Sequence, residues 1–260
     1  MIDETKNILK SKKYKNIYNK TVHRIVGETY KRYRKKDIVN KSKNILHQSW
    51  GAFFTKSPNY KELLEKLKGN EDLKNTLLPI LKTHQSTKER VFILNDFYKN
   101  IFKLTETPHS IIDYGCGFNP LTIPWMNLKE GTVYKAYDID SEEINFLNKA
   151  MLVIMKKSNI NIKTKIEVGD IVYKNNEYAD IAFLFKIIPP LEKQNIDILK
   201  TLEGINAKHL VVSYSTKSIS GKNKGMENFY KERFLKLVQN TNWSVKEINF
   251  KTELVFVIKK

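Results

Sequence analysis

Asp113-Tyr114-Gly115-Cys116-Gly117-Phe118-Asn119-Pro120 decides how this chain reads. The whole sequence has only 10 glycines, and two of them stand here, directly after the apolar run 110–114. A buried strand that runs into Gly-x-Gly must turn sharply and bring bare backbone close to whatever lies above the strand end. Asn119 suits a helix N-cap and Pro120 a first helical position, so the spacing predicts a short helix, with Pro124 limiting it and its free N–H groups facing a ligand.

Working outward from this loop, apolar runs and amphipathic stretches alternate. Strands are predicted at 110–114, 133–137, 163–168, 181–185 and 210–214. A helix is predicted at 142–157, carrying Ile144, Leu147, Met151, Ile154 and Met155 on one side. A helix near 226–239 and strands at 245–249 and 254–258 close the chain. Alternating β and α elements imply a largely parallel sheet covered on both faces, and a final hairpin is the usual ending of the class I methyltransferase fold. The expectation is an α/β, Rossmann-like class I methyltransferase with a helical N-terminal extension, divided at 1–82 and 83–260.

A dinucleotide fingerprint wants a third glycine where Pro120 stands, which disfavours a nicotinamide cofactor. S-adenosylmethionine carries no phosphate, and its methionine part needs only the Gly-x-Gly turn. Asp138, at the end of the second strand, is placed to accept hydrogen bonds from ribose hydroxyls. Asp170, after the third, is placed for the adenine amino group, with Ile171 against the ring. Each signal alone has an ordinary reading, a tight turn or a helix cap. The three in order at successive strand ends point to the nucleoside cofactor.

The acceptor can be narrowed by what is missing. Methyltransferases acting on exocyclic base amines carry a polar residue, two prolines and an aromatic after the fourth strand. Phe185-Lys186-Ile187-Ile188-Pro189-Pro190-Leu191 keeps only the prolines. Pyrimidine C5 chemistry needs a cysteine nucleophile, and Cys116, the only cysteine, lies in the cofactor loop as a small buried residue. A ring nitrogen or a hydroxyl remains. Guanine N7 has a free lone pair and needs no general base, so no catalytic side chain is nominated.

Composition speaks to the partner. Against 28 Asp and Glu stand 46 Lys and Arg, a net charge of +18 that favours polyanions. No run of about 18 apolar residues could span a bilayer and the basic N-terminus lacks the apolar core of a signal peptide, so nucleic acid is preferred over membrane. A lone cysteine and five scattered histidines offer no disulfide or metal site, which fits a reducing cytoplasm. Basic residues concentrate at 6–43, where apolar positions recur every three or four residues. These read either as the solvated face of a helical bundle or as a nucleic-acid face. Ser86-Thr87-Lys88-Glu89 has the capping-box pattern and predicts one helix reaching about Phe102.

At this point the chain resembles the aminoglycoside-resistance 16S rRNA methyltransferases of the Arm/Rmt group. The stretches that carry the likeness are Leu46-His47-Gln48-Ser49-Trp50-Gly51, His84-Gln85-Ser86-Thr87-Lys88-Glu89-Arg90, residues 113–120, Asp138-Ile139-Asp140, residues 217–226 and the closing Glu253-Leu254-Val255-Phe256-Val257-Ile258. Tyr214-Ser215 and Ile188-Pro189-Pro190 depart from the usual pattern. The resemblance implies cofactor contacts at His84, Gln85, Ser86, Arg90, Gly115, Asp138, Asp170, Ile171, Phe185 and Gln194, with Arg90 pairing the methionine carboxylate. It implies RNA contacts at Lys12, Lys13, Lys15, Lys217, Lys222, Lys224 and Met226, the 217–226 loop lying over the active site. It further implies guanine N7 methylation in 16S rRNA of the assembled small subunit, and hence aminoglycoside resistance. The enzyme is expected to be a monomer without metal. Adenine N1 methylation, or ribosome binding without transfer, are the competing readings.

Overall fold

In the computed structural model, which describes residues 1–53, 58–69, 72–174, 176–216 and 225–260, the apolar runs become one seven-stranded sheet. The strands are β1 (Ser110–Tyr114), β2 (Val133–Asp138), β3 (Lys163–Val168), β4 (Ala179–Phe185), β5 (Ala207–Ser215), β6 (Ser244–Asn249) and β7 (Glu253–Lys259). Their order is β3-β2-β1-β4-β5-β7-β6, with β1 to β5 parallel and β7 antiparallel to both β5 and β6. The predicted strands are all present: β1 and β3 keep their predicted bounds, and the others extend by one to four residues. β4 and β5 are buried almost throughout, as strands covered on both faces must be.

The N-terminal region forms α1 (Ile2–Lys10), α2 (Asn19–Tyr30), α3 (Ile38–Ser49), α4 (Tyr60–Gly69) and α5 (Leu73–Leu81). The first three pack Ile8, Val22, Ile25, Val26, Ile38 and Leu46 into a small core of their own. α4 and α5 instead join the larger core between the sheet and its helices, through Leu63, Leu67, Leu77 and Ile80.

Two local predictions give way. The single helix expected from Ser86 is α6 (Gln85–Arg90), a 3₁₀ turn at Val91–Ile93, then α7 (Leu94–Thr105). Ser86 is not the cap, because the helix starts one residue earlier with His84 at the cap position. Glu89 turns to Gln85 and Lys186 instead. After the glycine loop, Asn119–Trp125 is a 3₁₀ segment. Asn119 is buried and its amide serves Arg90 and Asp113 rather than backbone N–H groups; the N–H groups of Gly117, Asn119 and Leu121 are already bonded to Asp138 and to the Cys116 and Phe118 carbonyls, so the expected array of free helix donors does not form.

The remaining helices are α8 (Ser141–Ser158), capped by Asp140, α9 (Ile188–Lys193), α10 (Ile198–Gly204) and α11 (Met226–Val238). α9 and α10 were not legible as helices. Pro189 and Pro190 sit in the first turn of α9, where a missing N–H costs nothing. None of the described helices is long and apolar enough to cross a membrane.

Candidate active site

β1 has β2 on one side and β4 on the other, so the chain reverses direction across the sheet at the carboxyl end of β1. Crevices at such switch points are where open α/β sheets hold ligands. Here a cleft open to solvent is lined by the glycine loop, the ends of β2 and β4, and the turn after β3. It also has a wall from the N-terminal helices: Thr21, Ser49, Trp50 and Phe53.

Gly115 and Gly117 both have positive φ, 62° and 46°. A Cβ on Gly115 would lie 2.5 Å from the end of Ile187, and one on Gly117 would lie 2.8 Å from the His84 ring. The loop is thus tight on two counts, backbone hand and space. It is tied to β2 by the N–H groups of Gly115 and Cys116, which donate to the Tyr137 carbonyl, and by Gly117 N–H, which donates to Asp138 Oδ2 at 3.0 Å.

Asp138 also accepts through Oδ1, from Ile139 N–H at 2.6 Å and from Asp140 N–H at 3.4 Å, and it keeps acceptor capacity on Oδ2. Burial raises its pKa, an effect the backbone donors oppose. Beside it are Asp140, pushed up to about 6 by burial, and Glu143, raised well above the usual range by burial and then by Asp138 and Asp140. Glu143 lines the cleft, is 1% exposed, and its Oε2 has no hydrogen-bond partner.

Asp170 and Gln194 face each other across the turn after β3, with Ile171 buried beside them. Asp170 Oδ2 accepts from Thr21 at 2.7 Å and from Arg24 at 2.6 Å, and Oδ1 accepts from Val172 N–H. On the opposite wall Arg90 is fully buried. Its guanidinium lies against the rings of both Phe97 and Phe185, at 4.4 and 4.3 Å from their centroids. It forms a bidentate pair with Glu253 and donates to Asn119 Oδ1 at 2.6 Å. One N–H on each terminal nitrogen is left over. Lys186, in a left-handed conformation at φ 59°, joins the network through Glu89, Glu253 and the Ser86 carbonyl. His84 stacks on Phe53, and burial, with Lys186 and Arg90 adding to it, pulls its pKa down to about 3.

Of the ten residues expected to hold a cofactor, His84, Ser86, Arg90, Gly115, Asp138, Asp170, Ile171, Phe185 and Gln194 come together on this cleft. Gln85 is not among its walls, and its amide donates to Glu89 within α6. Lys12, Lys13 and Lys15 are exposed together on the turn between α1 and α2, and Met226 begins α11. Lys217, Lys222 and Lys224 lie outside the described residues. Thr21, Arg24, Phe53 and Glu143 were missed, because nothing in their local pattern marks them. Trp50 stood in a quoted stretch without a role.

Three comparisons bear on this site. The profile of a family described as ribosomal RNA methyltransferase (FmrO) matches residues 10–257. A 16S rRNA (guanine(1405)-N(7))-methyltransferase of Micromonospora echinospora is 31% identical over 264 residues, covering 97% of this chain and 94% of that one. The 16S rRNA methyltransferase RmtF, solved in complex with S-adenosyl-L-homocysteine, superposes over 99% of this chain and 97% of its own with a TM-score of 0.82 at 26% identity. The 16S rRNA methylase ArmA is 32% identical over 78% of this chain and 99% of its own, with a TM-score of 0.64.

Proposed function

The chain belongs to the ribosomal RNA methyltransferase (FmrO) family, and from that premise we propose that it methylates N7 of guanine 1405 in 16S rRNA, using S-adenosyl-L-methionine. The observation that carries this reading is the convergence of nine cofactor residues on one cleft at the switch point of the sheet.

The cleft fits that cofactor on its own features. The glycine loop leaves space that a Cβ would fill, two carboxylates stand at successive strand ends, and apolar Ile171 and Phe185 flank them. Asp138 would take the ribose hydroxyls, Asp170 and Gln194 the adenine edge, and the spare N–H groups of Arg90 the methionine carboxylate. When bound, the cofactor supplies an electrophilic methyl group on sulfur. Lys186 is a second cation of the cleft wall beside Arg90, but its ammonium is spent on Glu89 and Glu253. His84 is neutral at physiological pH and already packed between Phe53 and Phe118. Neither has a proton to abstract from guanine N7, whose lone pair is free. The protein contributes position, holding donor and acceptor in line.

The exposed Lys12, Lys13 and Lys15 supply phosphate contacts on folded rRNA, and the substrate is the assembled small subunit in the cytoplasm, met by a monomer that uses no metal. Methylation there adds charge and bulk where aminoglycosides read the guanine, giving resistance. The test offers labelled cofactor to small subunits, naked 16S rRNA and large subunits, followed by borohydride–aniline scission. A cut at guanine 1405 in small subunits alone is the expected result. Label without a cut would mean another atom, such as adenine N1, and no label would end the proposal.

A further inference from the structure

Arg24 belongs to α2, in the N-terminal region, yet its side chain reaches the adenine end of the cleft. A single nitrogen, Nη2, donates to Asp170 Oδ2 at 2.6 Å and to Gln194 Oε1 at 2.8 Å. Thr21, one turn earlier on the same helix, donates to the same Asp170 oxygen at 2.7 Å. The guanidinium is 11% exposed and stands behind the wall, while Thr21, Asp170 and Gln194 form it.

The polarity of the wall follows from this arrangement. A guanidinium can only donate, so the Gln194 carbonyl must face Arg24. The amide nitrogen is then turned the other way, where Nε2 meets the Pro190 carbonyl at 3.3 Å and keeps one N–H to spare. Asp170 is fixed as an acceptor by the same contact: Oδ2 is filled by Thr21 and Arg24, and Oδ1, with only Val172 N–H on it, has capacity left. The cleft therefore presents an acceptor beside a donor. Adenine offers the complement, a 6-amino donor beside a ring-nitrogen acceptor. A 6-oxopurine offers the reverse, a carbonyl acceptor beside a ring N–H. A glutamine free to rotate its amide could serve either.

We propose that Arg24 is a specificity-determining positioning residue: by locking the Gln194 amide and the Asp170 carboxylate in opposite polarity, it makes the cofactor site read adenine and reject 6-oxopurines. This rests on the assignment of the cleft to S-adenosyl-L-methionine. It gives the N-terminal helices a part in choosing the cofactor as well as in reaching RNA. Lysine is a poor replacement, since a single ammonium on a flexible stem does not hold two acceptors in one plane as a guanidinium does.

The test is calorimetric titration with S-adenosyl-L-homocysteine and with its deaminated counterpart S-inosyl-L-homocysteine, at constant pH, on the whole protein. The native protein should prefer the adenosyl compound by about 100-fold, as sites built around hydrogen bonds reject the reversed pattern strongly. In Arg24→Met the adenosyl compound should bind about 10-fold more weakly and the preference should fall below about 5-fold. Arg24→Lys should move both quantities in the same direction by less, and it serves alone if the methionine variant does not fold. Equal weakening of both compounds with the preference intact would mean that Arg24 only holds α2 in place, and the inference fails. Unchanged affinities would sink it as well. A native protein that binds neither compound removes the cofactor reading and this inference together; one that binds the adenosyl compound keeps the first, whatever becomes of the second.

Discussion

His84 lies under Gly117 and against Phe53 and Phe118, where a charged imidazole would be buried among rings and two cations. Its folded pKa, near 3, is below the ordinary 6.5, so the folded protein binds fewer protons than the unfolded chain across that interval. Stability from this group is present above pH 6.5 and is lost as pH falls towards 3, by at most about 1.4 kcal/mol per pH unit. Asp113 and Asp140, both raised to about 6 by burial, act in the opposite sense, contributing stability that is lost as pH rises from about 4 through 6. The clean measurement is thus the difference between native protein and His84→Asn in urea unfolding from pH 7.5 to 4. The native curve should fall relative to the variant below pH 6.5, and parallel curves would contradict the burial argument. Arg90 gives a second case. Its removal in Arg90→Ala leaves the Glu253 carboxylate at 0% exposure with Lys186 as its remaining cation, which should cost about 3–5 kcal/mol in the same assay. The sequence offered Arg90 only through a family likeness, as a partner for a ligand carboxylate. That its first partner is a carboxylate of its own chain, 163 residues away, is a tertiary fact no local pattern contains.

At the scale of elements, the glycine loop and the alternation of strands were legible because their physics is local: period, apolar run length, and a turn that only glycine allows. Asn119 shows where that ends. As a residue type it is a good cap, but a 3₁₀ segment and a buried polar network with Arg90, Tyr98 and Asp113 claimed its amide first. The N-terminal basic stretch was legible as amphipathic helices. Its dual allegiance was not, since Thr21 and Arg24 meet Asp170 and Gln194 across about 150 to 170 residues of chain. α2 therefore has two working faces, Val22, Ile25 and Val26 towards α1 and α3, and Thr21 and Arg24 towards the cleft. Ile25→Ala should cost about 2–4 kcal/mol of stability by leaving a void in a small core. Because the same helix holds Asp170 and Gln194, the proposed adenine wall, affinity for S-adenosyl-L-homocysteine should weaken with it. A loss of stability with unchanged affinity would separate the two faces.

Across the whole molecule, the turn that carries Lys12, Lys13 and Lys15 is hydrogen-bonded to the segment that follows β2. Tyr18 N–H donates to the Ile139 carbonyl at 2.7 Å, and Ser141 N–H donates to the Asn16 carbonyl at 2.9 Å. The Asn16 amide reaches Glu142. These bonds flank Asp138 on one side and begin α8 on the other, so rRNA that holds the turn also holds the segment around Asp138, which the proposed function gives to the ribose. Binding of the two ligands should then be linked, and linkage is reciprocal: the factor by which small subunits tighten S-adenosyl-L-homocysteine must equal the factor by which that compound tightens small subunits. A factor of about 5 to 50 is expected, within the usual range of such couplings. Electrostatics provides the independent handle. With a net charge of +18, log affinity for subunits should fall steeply with log salt. Changing Lys12, Lys13 and Lys15 together to glutamine should reduce that slope by about 3, one for each phosphate no longer neutralised. The cofactor's own affinity in the absence of subunits should stay as it was, since none of the three lines the cleft. An unchanged salt slope would take the lysines off the phosphates, and a coupling factor of one would make the backbone bridge between the turn and that segment a passive join.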